Sequence, residues 1–341
     1  MPRVSIKELA QMLELSPSTI SFVLNGRGDE MRIAKETQQK IMDLAKKSGY
    51  KPNIYARRLR MQPSERAVIG ILWPSIYSAE LIVRFFDGIH KSILEEQINV
   101  EVVYKPYQYS QIYKVEEVFK NNIFHGVVVV GASDEDVDYM QEIQSSMPIV
   151  FFNRQNPKYS SVCVDDYNVG EMAAQLLFAR GHKQVAYIEP KTTTRHTALR
   201  KAGFLDTFSK YGVNIKPENI IAKTSDLENN KEQLINLLTG VDAPTAIFST
   251  TSSIMPLLYE ILYKYKISVP DDLEILGYAD TPLCNLLNPK LSVLDMPVEA
   301  MVSQCLQLIL DMINGHMQFH ANVIVENDFI IRESCGGFPD K

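Results

Sequence analysis

The chain has 341 residues, 45% of them hydrophobic and 22% charged, with a formal net charge of −6. That length is more than one core usually serves, and its longest apolar runs fall far short of a membrane-spanning helix. The opening MPRVSIK has no apolar stretch of the secretory kind, so a cytoplasmic protein that neither enters nor crosses a membrane is expected.

Two short helices open the chain. Ser5 with Glu8 three residues on reads as a capping box, and Ile6, Leu9, Ala10 and Leu13 recur at the spacing of one helical face. Ser16 caps a second helix of about two turns, Pro17 fits its first position, and Asn25-Gly26 tolerate the left-handed backbone at its end. Ile20, Val23 and Leu24 then face inward. Pro17, Ser18, Ser21, Phe22 and Asn25 face outward, where a helix-turn-helix carries the side chains that read base edges and grip phosphates. Charge supports that reading over an ordinary three-helix domain: residues 1–66 hold 13 Lys and Arg against 7 Asp and Glu, whereas the remainder holds 22 against 34. A basic head on an acidic body is the electrostatic footprint of a nucleic-acid-binding unit joined to something else.

A third helix is expected from about Lys35 to Lys47, with Ile41, Leu44 and Ala45 as its apolar stripe, ending at Gly49. After Pro52, Asn53 caps a short basic segment, IYARRLR, whose apolar face is too narrow to fold alone. Arg57, Arg58 and Arg60 suit a polyanionic partner. Leu59 among them is either a wedge inserted between base steps from the minor groove or a stray apolar residue in a solvated linker.

The body alternates strand-length apolar runs with helix-length amphipathic segments. AVIGILW, NVEVVY, GVVVVG and PIVFF are separated by helices expected near 80–97, 111–122 and 135–146. A second series, SVCV, QVAYI, a strand near 219–222, TAIFS and LEILG, is interleaved with helices near 167–181, 198–212, 228–239 and 252–266. Such alternation implies two parallel sheets, each covered on both faces, with ligands binding at open strand ends.

The runs VSIKELAQMLELSPSTISFVLNG, IAKETQQKI and SGYKPNIYARRLR, followed by GVVVVG, VFFNR, VDDYNVG, ARGHKQVAYI, LRKAGFLDTF, TAIF, ILGYADTP and FIIRES, resemble the lactose-repressor/galactose-repressor family of bacterial transcriptional regulators over nearly the whole chain. The fold implied is an all-α helix-turn-helix head (residues 1–50), a hinge helix and linker (51–66), and an α/β two-lobed domain like the type I periplasmic binding proteins (67–335). Its lobes are expected at about 67–161 with 293–321, and 162–292 with 322–335, with a helix at 298–314 returning to the first lobe. The resemblance implies DNA contacts from Ser5, Ser16, Pro17, Ser18, Ser21, Phe22, Asn25 and Thr37 in the head, and from Tyr50, Asn53, Ala56, Arg57 and Leu59 in the hinge.

For the cleft, the resemblance makes Arg200 in LRKAGF the effector-clamping arginine, able to donate two parallel hydrogen bonds to a diol or carboxylate. Trp73, Ser75, Tyr77, Asn153, Arg154, Asp166, Thr251, Ala279 and Asp280 are mapped to cleft-facing loops. Asp166 fits a helix cap as well as a ligand, and Trp73 fits a stacking platform as well as the core. Two departures stand out: Thr250-Thr251-Ser252 replaces a customary Asn-Asp pair, and Ala279 replaces the first Asp of a Gly-aromatic-Asp-Asp turn. With those acceptors gone, Arg200 is expected to have less anionic company, which favours an acidic or phosphorylated effector. A sugar held by Asp280, hydroxyls and Trp73 remains the default.

In the head, Phe22 stands where the family usually has a base-reading Arg, Lys or His, Glu14 where glycine is usual, and Ala34 where a Ser cap is customary. The cysteines Cys163, Cys284, Cys305 and Cys335 are scattered without metal-ligand spacing and read as buried small hydrophobes, and His182 reads as a turn residue. No clustered ligands, phosphate loop or nucleophile elbow occur, so no metal, cofactor or catalytic activity is expected. The expected protein is a regulator, a repressor in the first instance, switched by a sugar or sugar phosphate. It should bind double-stranded, pseudopalindromic operator DNA as a homodimer, since little chain follows FIIRES for a further association helix. The alternatives are a small-molecule-binding protein with a vestigial head, or an enzyme on the same fold.

Overall fold

The computed structural model describes residues 6–24, 28–48, 66–75, 79–120, 123–191, 194–317 and 320–339. In the head, α1 (Ile6–Leu13), α2 (Pro17–Leu24) and α3 (Lys35–Lys47) pack around Leu9, Ala10, Ile20, Val23, Ile41 and Ala45, the positions marked by the helical periodicity. Ser16 caps α2, accepting from the Thr19 amide at 3.0 Å. The turn before it runs through Glu14 at φ 54°, a backbone region where a side chain costs energy and glycine does not. At the start of α3, where Ala34 cannot cap, Asp29 holds Lys35 Nζ at 2.7 Å and Gln38 Nε2 at 2.9 Å.

The body contains two six-stranded sheets. The first lobe is built from β1 (Ala67–Pro74), α4 (Ala79–Leu94), β2 (Val100–Tyr107), α5 (Glu117–Lys120), β3 (Gly126–Val130), α6 (Asp134–Glu142), β4 (Ile149–Phe152) and β5 (Ser160–Cys163). The second contains α7 (Asp166–Ala179), β6 (Val185–Pro190), α8 (Arg195–Lys210), β7 (Ile220–Lys223), α9 (Leu227–Thr239), β8 (Ala246–Ser249), α10 (Met255–Tyr265), β9 (Glu274–Tyr278), α11 (Pro282–Leu286) and β10 (Ser292–Asp295). The chain closes with α12 (Val298–Ile313), β11 (Asn322–Ile324) and β12 (Asp328–Ile330). In sheet order these are β11-β5-β4-β3-β1-β2, all parallel, and β12-β10-β9-β8-β6-β7, with only β12 antiparallel. Both faces of each sheet are covered, which is why β3, β4 and β8 are buried along their whole length.

The chain changes lobe later than expected at each crossing. SVCV, assigned above to the second series, belongs to the first sheet: β5 pairs with β4 on one side and with β11 on the other, in the register Ser161–Asn322. β10 likewise stays with the second sheet, and β11 joins the first rather than the second lobe. Apolar runs announce a strand but not its neighbours. The helix expected at 111–122 is instead a 3₁₀ turn at Ile112–Val115 followed by the single turn of α5. Asp136, 1% exposed, accepts from the amides of Ser110 at 3.1 Å and Ile112 at 2.9 Å and so fixes a different start. α8 begins three residues before the expected 198, because Thr194 and Thr197 form a reciprocal cap. α12 returns to the first lobe, packing Met301, Cys305 and Ile309 into its core. All four cysteines are buried and free. Among the described residues, no helix is long and apolar enough to cross a membrane.

Candidate functional site

A cleft of about 800 Å³ lies between the lobes where the parallel strands end. Its walls follow directly from the topology: Tyr109 and Ser110 after β2, Gly131 to Glu135 after β3, Asn153 and Arg154 after β4, Pro190 after β6, Thr250 to Ser253 after β8, and Tyr278 to Thr281 after β9. A smaller cavity of about 250 Å³ adjoins it, sharing Arg154, Arg195 and His196.

Arg200 forms the centre of the second-lobe wall. It is 5% exposed; its Nη2 donates to Asp166 Oδ1 at 2.5 Å, and its guanidinium carbon lies 3.6 Å from the centroid of the Tyr278 ring. Asp166 Oδ2 is 2.6 Å from His196 Nδ1. Burial works to raise the Asp166 pKa, but His196 and Arg200 outweigh it and hold the carboxyl below its ordinary value. Tyr278 is pushed well above its ordinary value by burial, and its ring packs against the cores of both lobes. Arg200 Nε and the Tyr278 hydroxyl have no hydrogen-bond partner among the described residues. With the customary acceptors at Thr251 and Ala279 absent, Arg200 keeps an anionic partner in Asp166, which acts from within the second lobe as a partner of the clamp rather than as a wall of the main cleft.

The other cleft positions divide. Asn153 adopts φ 49°, a conformation its side chain tolerates, and its Oδ1 accepts from the Val164 amide at 3.3 Å. Arg154 is paired with Asp134, and Thr251 Oγ1 lies 3.1 Å from Ser253 Oγ. Ala279 lines the cleft at φ 65°. Asp280 also lines it, but both carboxylate oxygens accept from Arg332 Nη2, at 2.9 and 2.8 Å, so it is not the open hydroxyl acceptor expected. Trp73 is no stacking platform: it is 3% exposed, edge-on to Phe85 at 5.1 Å within the first-lobe core, because β1 alternates its side chains between two covered faces. Ser75 is exposed but stands outside the cleft lining, and Tyr77 lies outside the described residues.

In the head, Ser16, Pro17 and Ser18 are exposed, while Ser21, Phe22 and Thr37 are half-buried. Ser5, Asn25, Tyr50, Asn53, Ala56, Arg57 and Leu59 lie outside the described residues. The sequence reading missed Arg84, Tyr278, His196 and the Ser133–Asp136 capping box, whose side chains reciprocally bind each other's amides. Only the last had a local signal, a Ser followed three residues later by an acid ahead of apolar residues.

Residues 169–335 match the periplasmic binding protein-like domain. Over 97% of this chain and 98% of its own length, the probable HTH-type transcriptional repressor ExuR of Bacillus subtilis (strain 168) is 26% identical. A LacI family transcription regulator from Clostridium acetobutylicum is similar in structure, with a TM-score of 0.72 and 29% identity over 78% of this chain and 100% of that one. The fold is shared also by a periplasmic binding protein/LacI transcriptional regulator from Alkaliphilus metalliredigens QYMF complexed with D-xylulofuranose, with a TM-score of 0.61 and 22% identity over 80% of this chain and 100% of that one.

Proposed function

Because this chain belongs to the lactose-repressor/galactose-repressor family of transcriptional regulators, we propose that it is a repressor whose hold on a palindromic operator is set by a sugar or sugar derivative bound between its lobes. Arg200 carries this reading. Asp166 and Tyr278 fix its guanidinium plane at the cleft wall, and its unpartnered Nε is a buried donor in need of an acceptor. Hydroxyl-bearing side chains, Ser133 from one lobe and Thr250, Thr251 and Thr281 from the other, surround the same space. The cleft's ion pairs are internally closed: Asp134 with Arg154, Asp280 with Arg332, Asp166 with Arg200. A polyhydroxylated, uncharged ligand suits such a lining. Arg195 favours the second reading, a sugar acid or phosphate, because it is exposed where the two cavities join and forms no hydrogen bond or ion pair among the described residues.

The operator is read by a pair of heads, one per half-site, with α2 in the major groove. The dimer face we assign is the outer side of α4, where Val83 (56% exposed), Phe86 and Leu94 share a helical stripe and Phe86 lies 6.3 Å from the exposed ring of Tyr104 on β2. The test has two arms. Selection from randomised duplexes should return a palindrome whose affinity falls steeply with salt, and deleting residues 1–60 should abolish binding while leaving a folded dimer. A thermal-shift panel of neutral sugars, uronates and sugar phosphates should return at least one stabilising compound that changes operator affinity. If the truncated body binds the selected duplex as well as the full chain, or no compound shifts melting, the proposal fails.

A further inference from the structure

Arg84 lines the cleft, yet it has no donor left to offer a ligand. All five of its guanidinium N–H groups are engaged. Nε donates to Glu299 Oε1 at 2.9 Å; Nη2 donates to Glu299 Oε2 at 2.7 Å and to Asp295 Oδ2 at 3.0 Å; Nη1 donates to Asp295 Oδ1 at 2.7 Å and to the Asp280 carbonyl at 3.2 Å. Glu299 lies on α12 in the first lobe, as Arg84 does on α4. Asp295 ends β10 in the second sheet, and Asp280 follows β9 in the same sheet. Two of the five bonds stay within the first lobe, and three cross to the second.

The turn these bonds hold is the one that forms a wall of the cleft. The Asp280 amide donates to Asp295 Oδ1 at 2.6 Å, and the Asp280 carboxylate is gripped on its other side by Arg332. Tyr278, beneath Arg200, and Ala279 immediately precede it. On α4, Arg84 turns inward to Asp295 and Glu299, while its neighbour Val83 lies on the exposed apolar face assigned above to the dimer. One side chain thus links the ligand-facing turn of one lobe to the outward-facing helix of the other. Burial works to raise the Glu299 pKa, but Arg84 outweighs it and keeps the carboxyl below its ordinary value.

We propose that Arg84 is a positioning residue that latches the two lobes at one mutual angle, by gripping Asp295 and the Asp280 carbonyl across the cleft. A ligand that shifts the 278–281 turn then moves α4 through this latch. A guanidinium suits the role because its rigid fork fixes two carboxylates and a carbonyl in a single plane, which a lysine ammonium cannot do. The operator consequence rests on the regulator reading; the latch itself does not.

The experiment measures the angle directly in the full-length protein. Spin labels are placed at the exposed positions Glu142→Cys in the first lobe and Glu232→Cys in the second; the native cysteines are all buried. Labelled chain is diluted with unlabelled chain, and electron-electron distances are recorded in the absence of any sugar. The parent should give one narrow distance. Arg84→Lys, which keeps the charge and loses the fork, and Asp295→Asn, which weakens the grip from the other lobe, should each broaden or displace it. Arg84→Met should do so more strongly if it folds. The two mild variants keep the question open to test should Arg84→Met fail to fold, since a pin that only stabilises one lobe would lower the melting temperature without moving the distance. Distances coinciding with the parent's in both mild variants overturn the latch. A displaced distance accompanied by a tenfold or greater change in affinity for the selected palindrome supports both the latch and the regulator reading. A displaced distance in a protein whose parent binds no palindrome supports the latch while the regulator reading falls.

Discussion

Asp166 and Arg200 are 34 residues apart in the chain and 2.5 Å apart in space. Two glycines let them meet. α7 and α8 cross in direct backbone contact, where a Cβ on Gly170 would collide with the Arg200 carbonyl and one on Gly203 with the Tyr167 carbonyl. The clamp at the cleft wall is therefore set by the spacing of two helices as much as by its own charge. Because the obstructing atoms are backbone, no rotamer change could make room for a methyl group.

Gly203→Ala should force α7 and α8 apart, lower the stability of the body by at least about 1–3 kcal/mol as overpacking does, and loosen effector binding by separating Arg200 from Asp166. Denaturant unfolding and calorimetric titration of the same variant measure the two effects. A variant as stable as the parent would show that the helices part at no cost.

Removing Arg200 has two effects that differ in kind. Arg200→Ala leaves Asp166 buried without its main cation, which typically costs about 3–5 kcal/mol, and it removes the donor facing the cleft. The double variant Arg200→Met with Asp166→Asn should recover much of the stability and none of the response to effector. Melting curves with and without the best compound from the sugar panel separate the two effects. A restored response in the double variant would place the effector elsewhere.

The depressed Asp166 pKa makes stability dependent on acid. A carboxyl whose folded pKa lies below its unfolded value of about 3.9 contributes its full stabilisation above that value and loses it as pH falls through the folded one. Glu274, where Arg180 and other hydrogen-bond partners outweigh burial, and Glu299 shift in the same direction. The melting temperature of the body should be level near neutrality and fall below about pH 4. Asp166→Asn should melt lower at neutral pH and show a shallower acid fall, which a pH series of thermal scans will record.

In the head, Glu14 is exposed and holds φ 54°. Glu14→Gly should raise the melting temperature of the head, relieving a left-handed conformation that costs a side chain about 1 kcal/mol. Chemical denaturation followed by far-ultraviolet dichroism of the isolated residues 1–50 or of the whole chain would show it; lower stability would mean that the flexibility glycine adds to the unfolded chain outweighs the strain.

Ala279 faces the cleft at φ 65°, where Asp is better tolerated than Ala. Ala279→Asp should fold at least as well as the parent. It should also favour neutral sugars over their phosphates, since a charge-assisted acceptor gains about 1.5–3 kcal/mol with a hydroxyl and repels an anion. Titration with glucose and glucose 6-phosphate, side by side, tests the sign of the change in selectivity.

What the sequence determined alone was whatever depends on nearby residues. The periodicity of Leu9, Ala10, Ile20, Val23 and Ile41 marked the head's core, Ser16 marked the start of α2, and each apolar run of the body became a strand, because helix caps and side-chain alternation are local properties. The family resemblance assigned Arg200, Asn153, Arg154, Thr251, Ala279 and Asp280 to the cleft, and all six line it. Tertiary structure decided what those side chains can still do there. Asp280 is occupied by Arg332, 52 residues further on; Trp73 turns into the first-lobe core; Asp166 serves Arg200; and Arg84 spends three of its donors across a lobe boundary that no local pattern reveals. Strand neighbours, and hence the lobe to which β5 and β11 belong, depend likewise on which segments meet after the chain has doubled back. Hydrogen bonds between residues so far apart in the chain exist only once both sheets have formed, so only the assembled lobes fix which donors and acceptors remain for a ligand.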